Sequence, residues 1–354
     1  MKDFEVFIWA SDYENFTGEG LLARLFVKNY FYSSKKKIEI YTNNNRYNFN
    51  NKKSYLIKKK LYKNSFFQKY VCPFYGIFLI WYFYLQGKKV CYVNYLPLWA
   101  FWIFLLLPKK TILGPVTGGV YKKKTYTINN LVRRFVIPFF YFLTLKFIFL
   151  KYKKVIFSTD NLKNFIPKSK IKYCLFNFCL LFYKKRKNKK KTIDFLFYLR
   201  SHINKSNNFH KKIIDILSDL NFKIIVVGDK FARPNLINYI NIPREKLLKL
   251  LDKTKFTIVS DENFYSLFAI DCFSSNVHVF YNQTVKPKKF YFNPKLIEDI
   301  KFYDINFSLN KILNVMKNKI NKNKKTSSKF LSNTNLLYLN NLKKIFLDKF
   351  VRVN

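Results

Sequence analysis

Two acidic residues in one short stretch of a basic chain are the first candidates for chemistry. Glu262 lies in the polar run 260–263, directly after the apolar run 256–259, and Asp271 follows two turns into a predicted helix. The whole chain holds 66 Lys and Arg against 20 Asp and Glu. Helix N-termini carry unpaired N–H groups and partial positive charge, so they bind anions. The stretch predicts a site where amides hold a phosphate and carboxylates hold sugar hydroxyls; an ordinary βαβ unit with a capping Asp-Glu pair is the alternative.

A pair of basic residues follows another predicted strand, at 193–198. Arg200 and Lys205 stand five positions apart, with His202 between them. A departing diphosphate gains negative charge, and neighbouring cations stabilise that charge. The pair is therefore a candidate clamp for a diphosphate. We interpret His202 as a loop histidine without a role in the chemistry.

Glycines mark two further loops after strands. The chain has only 8 Gly, and three of them, Gly114, Gly118 and Gly119, fall in the segment 114–119. Gly18 and Gly20 flank Glu19 after the first predicted strand. Clustered glycine indicates backbone that tolerates no Cβ, although a plain turn explains the cluster at 114–119 equally well. The dinucleotide-binding pattern GxGxxG is absent, so a dinucleotide site is not expected.

In this order, these segments resemble glycosyltransferase family 4, whose enzymes have the GT-B fold of two Rossmann-like domains. Glu262 with Phe264, the second acid Asp271, and Arg200 with Lys205 carry the resemblance. It implies that Arg200 and Lys205 hold the donor diphosphate, that Glu262 contacts the transferred sugar, and that Asp271 contacts the ribose. It also implies retention of anomeric configuration.

The resemblance implies further positions around the donor and the cleft. The donor site adds Gly228, Ile240, Asn263, Phe264, Tyr265 and Ser266, and the cleft loops hold Gly18, Glu19, Gly20, Gly114, Gly118 and Gly119. The chain departs from the family pattern at four places, the first being that Asp271 follows Glu262 by nine residues where the family has eight. Tyr265 and Ser266 stand where a glycine is expected, Leu199 replaces the glycine before Arg200, and Asn94 and Tyr95 occupy the region of a sugar-contacting histidine.

The predicted architecture is α/β, with two Rossmann-like domains of GT-B type facing each other across a cleft. The length of 354 residues suits two domains. We place the acceptor-side domain at 1–182, the nucleotide-sugar domain at 193–325, and a C-terminal helix at 326–354 that packs back on the first domain. The basic run 184–191, KKRKNKKK, is interpreted as a solvated linker. No nucleic-acid signature accompanies it, so a nucleic-acid partner is not expected.

Apolar periodicity and turn residues position the elements. Strands are predicted at 3–10, 37–42, 55–57, 88–94, 111–113, 155–158, 173–178, 193–198, 222–227, 236–240, 256–259 and 277–281. Helices are predicted at 19–30, 66–85, 98–107, 131–152, 208–220, 243–251, 308–320 and 336–350, with 287–300 read as loop and helix. Pro138 is expected to kink the long helix. That helix suits either the headgroup layer of an anionic membrane or the core.

Composition bounds the setting of the protein. The five cysteines form no CxxC pair, which favours free thiols in a reducing cytoplasm, and we expect no signal peptide. No DxD motif occurs, so neither a metal nor another cofactor is expected. The formal net charge of +46 favours phosphorylated substrates and anionic lipid. We therefore expect a cytoplasmic protein, peripheral at the inner membrane face.

The first functional hypothesis is a glycosyltransferase that moves a sugar from a nucleotide-sugar donor to a lipid-linked or cell-envelope glycan. Three alternatives stay open. One is a catalytically inactive, membrane-associated binding protein with the same fold, and another is an inverting fucosyltransferase-like enzyme, suggested by the run 260–263. The third is an integral membrane protein that uses 66–85 and 131–152 as spans.

Overall fold

The computed structural model of the chain describes residues 4–15, 18–34, 36–50, 53–58, 71–93, 96–97, 101–118, 135–187, 189–199, 208–231, 233, 236–261, 263–285, 291–322, 340 and 344–345. Its contacts divide the chain into two compact units. The first comprises Met1–Leu181 with Leu342–Asn354, and the second comprises Phe182–Asn341. Most of the helix predicted at 336–350 lies outside the described residues.

The first unit alternates strands and helices. Its strands are β1 (Val6–Trp9), β2 (Ile38–Tyr41), β3 (Asn45–Asn50), β4 (Lys53–Lys58), β5 (Lys89–Tyr92), β6 (Leu96–Pro97), β7 (Ile112–Leu113), β8 (Val116–Thr117), β9 (Val155–Ile156) and β10 (Cys174–Leu175). Its helices are α1 (Gly18–Ser34), α2 (Cys72–Leu85), α3 (Phe101–Leu106) and α4 (Ile137–Lys151).

Among the described residues, the main sheet of this unit runs β4-β3-β2-β1-β5-β7. Neighbours from β2 to β7 are parallel, whereas β3 and β4 extend one edge as antiparallel strands. Every residue of β1 is buried, because helices cover both faces of a parallel sheet. Gly76 of α2 lies directly against the Trp9 indole, where a Cβ would come within 2.3 Å of Nε1. The missing side chain lets this helix approach the sheet.

The second unit is a regular run of strands and helices. Its strands are β11 (Ile193–Tyr198), β12 (Ile224–Val227), β13 (Leu236–Tyr239), β14 (Thr254–Ile258), β15 (His278–Asn282) and β16 (Ile297–Ile300). Its helices are α5 (Asn208–Asp219), α6 (Arg244–Leu251), α7 (Leu267–Ser274) and α8 (Ile305–Lys322).

All described strands of the second unit form one parallel sheet in the order β13-β12-β11-β14-β15-β16. This is the 3-2-1-4-5-6 order of the dinucleotide-binding Rossmann fold. Its core is rich in stacked aromatic rings, such as Phe195 on Phe197 at 5.8 Å and Phe209 on Phe302 at 4.2 Å. The order reverses between β11 and β14, which makes the carboxyl ends of these two strands the switch point.

The basic run 184–191 belongs to the second unit, and Lys184, Lys185, Lys187, Lys189 and Lys190 are exposed, as expected of a solvated segment. Arg186 makes a bidentate pair with the buried Asp252 carboxylate, with Nε–Oδ1 at 2.7 Å and Nη2–Oδ2 at 2.8 Å. Lys191 Nζ donates to the Ser275 carbonyl at 2.7 Å, and burial lowers the pKa of this amine to about 8. Two long-range carboxylate and carbonyl partners therefore hold a segment that composition alone marks as solvated.

Other differences have local causes. Pro138 stands in the first turn of α4, where its missing N–H costs nothing, so it begins the helix and does not kink it. β3 and β16 are strands that polar composition concealed, with sequences NRYNFN and IEDI. All five cysteines are free thiols. Within the described ranges, no helix has the length and apolar character needed to cross a bilayer.

Candidate functional site

The switch point of the second sheet brings together the two segments that the sequence singles out. β11 ends at Tyr198, just before Arg200, and β14 ends at Ile258, just before the acidic loop. The two strands are direct parallel neighbours, with Phe195 paired to Phe256. Ligands of open α/β sheets bind outside the carboxyl ends of the strands at this point. Arg200, Lys205, His202 and Glu262 themselves lie outside the described residues.

An aromatic stack joins the two sides of the switch point. The Tyr198 ring, at the last position of β11, lies 5.1 Å from the Phe268 ring in the first turn of α7, with 22° between their planes. Tyr198 precedes Arg200 by two residues, and Phe268 follows the acidic loop. The stack therefore links the end of β11 to the start of α7, which flank the two candidate segments in the sequence.

Gly228 is held against the same turn from the other side. It follows β12 with φ of +96°, and its N–H donates to the Tyr239 carbonyl at 2.7 Å. A Cβ at this position would come within 1.9 Å of the Leu199 carbonyl oxygen. Only glycine combines this positive φ with so close an approach. The predicted donor-site glycine therefore positions the residue next to Arg200.

The helix that follows the acidic loop begins later than the sequence suggested. Ser266 is its N-cap, and its hydroxyl accepts from the Ala269 N–H at 3.2 Å. The run 260–263 precedes the cap, so it does not cap the helix, and the alternative of a capping Asp-Glu pair is wrong. Asn263 instead closes an Asx turn, because its Oδ1 accepts from the Tyr265 N–H at 3.0 Å. Amides of the first turn, at Leu267 and Phe268, have no acceptor within an α-helix.

Phe264 and Tyr265 are buried packing residues. The Phe264 ring lies edge-on to Tyr281 at 4.9 Å, and Tyr265 contacts the ring of Tyr291 at 5.2 Å. Both are below 5% exposed. Phe264 keeps the position that the family pattern gives it, and the Tyr265 ring fills space where the resemblance led us to expect a glycine. They anchor the loop from below, and any contact with a donor would come from their backbone.

Asp271 lies inside the protein and is paired. Arg244, the first residue of α6, donates through Nε to Asp271 Oδ2 at 3.0 Å and through Nη2 to Oδ1. Burial raises the pKa of the Asp271 carboxyl, and Arg244 opposes that effect. Both oxygens already accept from a guanidinium. A ribose hydroxyl could only use the remaining lone pairs of the same oxygens, so Asp271 is first a link between two helices.

His210 is a feature of the site that sequence reasoning missed. It lies in the first turn of α5, directly after the segment with Arg200 and Lys205, and it is 5% exposed. Its ring meets Phe302 edge-on at 5.2 Å, and it hydrogen-bonds to backbone at Ile258 and Val259. Nδ1 has no hydrogen-bond partner. Burial lowers the pKa of His210 to about 4, so the ring is neutral at pH 7 and ties α5 to the end of β14.

Ile240 follows β13 directly and is 50% exposed. β13 is the edge strand beyond β12, on the side of the sheet that carries Gly228. An exposed apolar side chain here is compatible with the predicted place of Ile240 in the donor site. A nearby cation–π contact, with Lys246 Nζ 4.4 Å from the centre of the Tyr239 ring, packs the first turn of α6 on the same strand.

The glycine loops of the first unit are tightly packed. Gly18, Glu19 and Gly20 form the first turn of α1, which begins one residue before the predicted helix 19–30. A Cβ on Gly20 would come within 2.0 Å of the Asn15 carbonyl oxygen, so glycine permits the helix to meet the β1–α1 loop. Arg24 Nη1 donates to that same carbonyl at 2.8 Å.

Glu14, a carboxylate that sequence reasoning did not identify, organises this loop. Its Oε1 accepts from Thr42 Oγ1 at 2.9 Å, from Asn45 Nδ2 at 2.6 Å and from Tyr47 OH at 2.9 Å. Burial raises the pKa of Tyr47 to about 12, and the hydrogen bond to Glu14 is the second-largest cause of this increase. The carboxylate is thus committed to tying the β1–α1 loop to β2 and β3.

The second glycine cluster also reflects close packing. A Cβ on Gly114 would lie 3.0 Å from Val93 Cα, and a Cβ on Gly118 would lie 2.8 Å from Leu162 Cδ1. The segment between them forms β8, which pairs with β6 as a small parallel sheet. Gly119 lies outside the described residues. The cluster therefore serves backbone packing in this unit.

No family model and no curated sequence matches the chain. Solved structures do. A sucrose-phosphate synthase from Thermosynechococcus elongatus aligns over 98% of this chain and 95% of its own, with a TM-score of 0.57 and 11% identity. A glycosyltransferase from Rickettsia africae covers 99% and 95% with a TM-score of 0.48 and 10% identity. A putative UDP-N-acetylglucosamine 2-epimerase from Listeria monocytogenes aligns over 90% of this chain and 89% of its own, with a TM-score of 0.46 and 8% identity.

The likeness to the synthase shows the fold at an identity where activity does not transfer. This likeness agrees with the sheet order of the two units of the chain, because each unit contains a parallel Rossmann-like core. The chain therefore has the α/β architecture of two Rossmann-like domains, the GT-B type.

Proposed function

We propose that the protein is a glycosyltransferase that moves a sugar from a nucleotide-sugar donor to a lipid-linked or cell-envelope glycan acceptor. The observation that carries the proposal is the switch point of the second sheet. There the strand before Arg200 and Lys205 and the strand before Glu262 are direct neighbours. Cations and a carboxylate on adjacent loops are the groups that a sugar diphosphate requires.

In the proposed reaction, the bond between the sugar C1 and the β-phosphate oxygen breaks and the acceptor hydroxyl oxygen bonds to C1. The proton lost by the hydroxyl ends on the nucleoside diphosphate. Arg200 and Lys205 stabilise the charge on that leaving group, and Glu262 holds sugar hydroxyls. The first N–H groups of α7 add partial positive charge near the diphosphate.

The described residues support this arrangement in three ways. The Tyr198–Phe268 stack joins the end of β11 to the first turn of α7. Gly228 lets β12 approach the turn at Leu199, and Ser266 fixes where the helix begins. These contacts order the described residues that flank the two loops, and order present before a ligand binds lowers the entropic cost of binding. No metal enters the proposal, because the cations of the chain supply the required charge.

A donor panel tests the proposal. The full chain is incubated with nucleotide sugars that differ in base and sugar, and the released nucleoside diphosphate is measured. We expect release with one class of donor and binding by calorimetry to the same donor. Arg200→Ala should weaken binding at least about tenfold, the effect of one lost charge-assisted contact.

Arg233→Ala is the matched control, because this arginine of the same unit is engaged by Asp215 at 3.2 Å and Asp219 at 2.7 Å. It should leave donor binding unchanged. Failure of the wild-type chain to bind any donor would contradict the proposal and favour an inactive protein with this fold. Equal losses in the two variants would show that charge alone, and not the switch point, attracts the donor.

A further inference from the structure

Helices α2 and α4 of the first unit carry apolar side chains on the side that faces away from the core. On α2, Phe74, Phe78, Tyr82 and Leu85 recur every three or four residues, and Leu85 is 78% exposed. On α4 and the residues leading into it, the apolar series is Phe135, Phe139, Phe142 and Leu150, and the exposed Lys146 lies between the last two. A soluble helix places polar residues on this side, so the outward stripes are unusual.

The opposite sides of the same helices already serve the core. Ile77 and Ile80 of α2 are buried, as are Leu145 and Ile148 of α4. The outward side chains are therefore additional to the buried core of the unit. Of the 21 exposed large apolar residues among those described, the 13 that belong to these helices, to α3 or to the residues just before them form the majority.

Contacts through α3 join the stripes into one surface. The Phe74 and Trp102 rings stack at 4.6 Å, and Trp81 Nε1 donates to the Leu106 carbonyl at 2.7 Å. From the other side, Lys151 Nζ donates to the Phe104 carbonyl at 3.2 Å. Leu105 and Leu106, both exposed, lie between the two stripes. We name the exposed side chains of α2, α3 and α4 the α2–α4 face.

The charge around this face has one sign. No Asp or Glu occurs in the sequence between Glu39 and Asp160, a segment that contains all three helices. Lys109, Lys110 and Lys146 are exposed on the same helices or next to them. A second copy of the chain would bring an equally positive surface against this one, which like-charge repulsion opposes. The charge therefore fits an anionic occupant with an apolar interior.

We propose that the α2–α4 face docks on a bilayer containing anionic lipid, with its aromatic and aliphatic side chains in the interface and its lysines among the headgroups. Such binding combines buried apolar area with attraction to anionic lipid. The proposal deepens the proposed function, because it places the protein where a lipid-linked acceptor is found. Only this link to the acceptor rests on the proposed function. The binding itself stands on the surface alone.

Vesicle co-sedimentation of the full chain tests the docking surface. The vesicles are phosphatidylcholine alone or phosphatidylcholine mixed with phosphatidylglycerol. The test variant combines Phe78→Ser, Leu85→Ser, Phe139→Ser and Phe142→Ser. The matched control makes the same number of serine changes at exposed apolar sites of the second unit, namely Leu220→Ser, Ile237→Ser, Tyr303→Ser and Phe307→Ser.

Wild type and control should bind the mixed vesicles, and the test variant should partition at least about tenfold less, given the apolar area it removes. Binding to phosphatidylcholine alone should be weak for all three. Brominated lipids should quench the fluorescence of wild type more than that of Trp81→Phe, because Trp81 is 40% exposed on the face.

Equal vesicle binding by the test and control variants would overturn the proposal. So would a concentration-dependent dimer in lipid-free buffer that the test variant abolishes, since a second copy would then cover the face. Donor binding is measured on the same proteins without lipid. We expect the test variant to bind donor as well as wild type does. If wild type itself binds no donor, the proposed function is overturned and the docking result stands.

Discussion

Tyr198 and Phe268 stack at 5.1 Å across the switch point of the second sheet, and they connect the segment before Arg200 with the helix after Glu262. The contact is therefore expected to matter for the donor more than for the fold. We predict that Tyr198→Ala and Phe268→Ala each weaken donor binding, with a coupling energy of about 0.5–1.5 kcal/mol in a double-mutant cycle. Calorimetric titration of the four proteins measures it. Additive effects would show that the two loops act independently.

Gly228 allows a prediction with an internal control. Gly228→Ala places a methyl group against the Leu199 carbonyl at a φ of +96°, whereas Gly87→Ala, at φ of +73°, meets nothing within 4 Å. Strain alone costs about 1–2 kcal/mol in the left-handed region. We expect Gly87→Ala to lose this amount in urea unfolding and Gly228→Ala to lose clearly more and to bind donor less well. Equal losses would mean that the turn relaxes freely.

The sequence predicts the elements of the second unit well, because its strands are short apolar runs that end in polar or glycine residues. The strand predicted at 193–198 coincides with β11, and the one at 222–227 contains β12. The prediction of loop and helix at 287–300 was wrong, because its last four residues form the strand β16. β16 contains Glu298 and Asp299 in its four residues, and such a segment is stabilised by its neighbour β15 and not by its own pattern.

Site geometry was harder to predict than the elements, since it depends on partners distant in sequence. Asp271 meets Arg244 27 positions away, and Arg186 meets Asp252 66 positions away. Neither pairing leaves a local signal in a chain so rich in Lys and Arg. His210 could have been noticed, because histidine occurs only 3 times in the chain and this one opens an amphipathic helix next to the candidate clamp. Its burial, however, depends on Phe302 and β14.

The Arg244–Asp271 pair supports a prediction about stability. In Arg244→Ala the buried carboxylate loses its guanidinium, and we expect unfolding free energy to fall by about 3–5 kcal/mol. Adding Asp271→Asn removes the buried charge and should recover part of that loss. The single variant should also become relatively more stable as the pH falls, because a raised native pKa favours folding while the carboxyl is protonated. Chemical denaturation at several pH values measures both effects.

If Arg244→Ala and the double variant are equally destabilised at every pH, Asp271 does not carry an uncompensated charge in the single variant. Lys246→Ala serves as the control for removing a cation from the same helix, because its partner is an aromatic ring and not a buried carboxylate. It should change the unfolding free energy by less than about 1 kcal/mol. A larger effect would point to the helix as a whole and not to the pair.

His210 predicts a loss of stability in acid. Its native pKa is about 4, below the ordinary value of 6.5, so the unfolded chain binds a proton at a pH where the native chain does not. Stability should therefore fall as the pH drops from about 6.5 towards 4, by up to about 3 kcal/mol from this residue. His210→Gln keeps a donor for the backbone of β14 and cannot be protonated. In urea unfolding its stability should fall less over the same window, and identical pH slopes in the two proteins would show that the acid loss has another source.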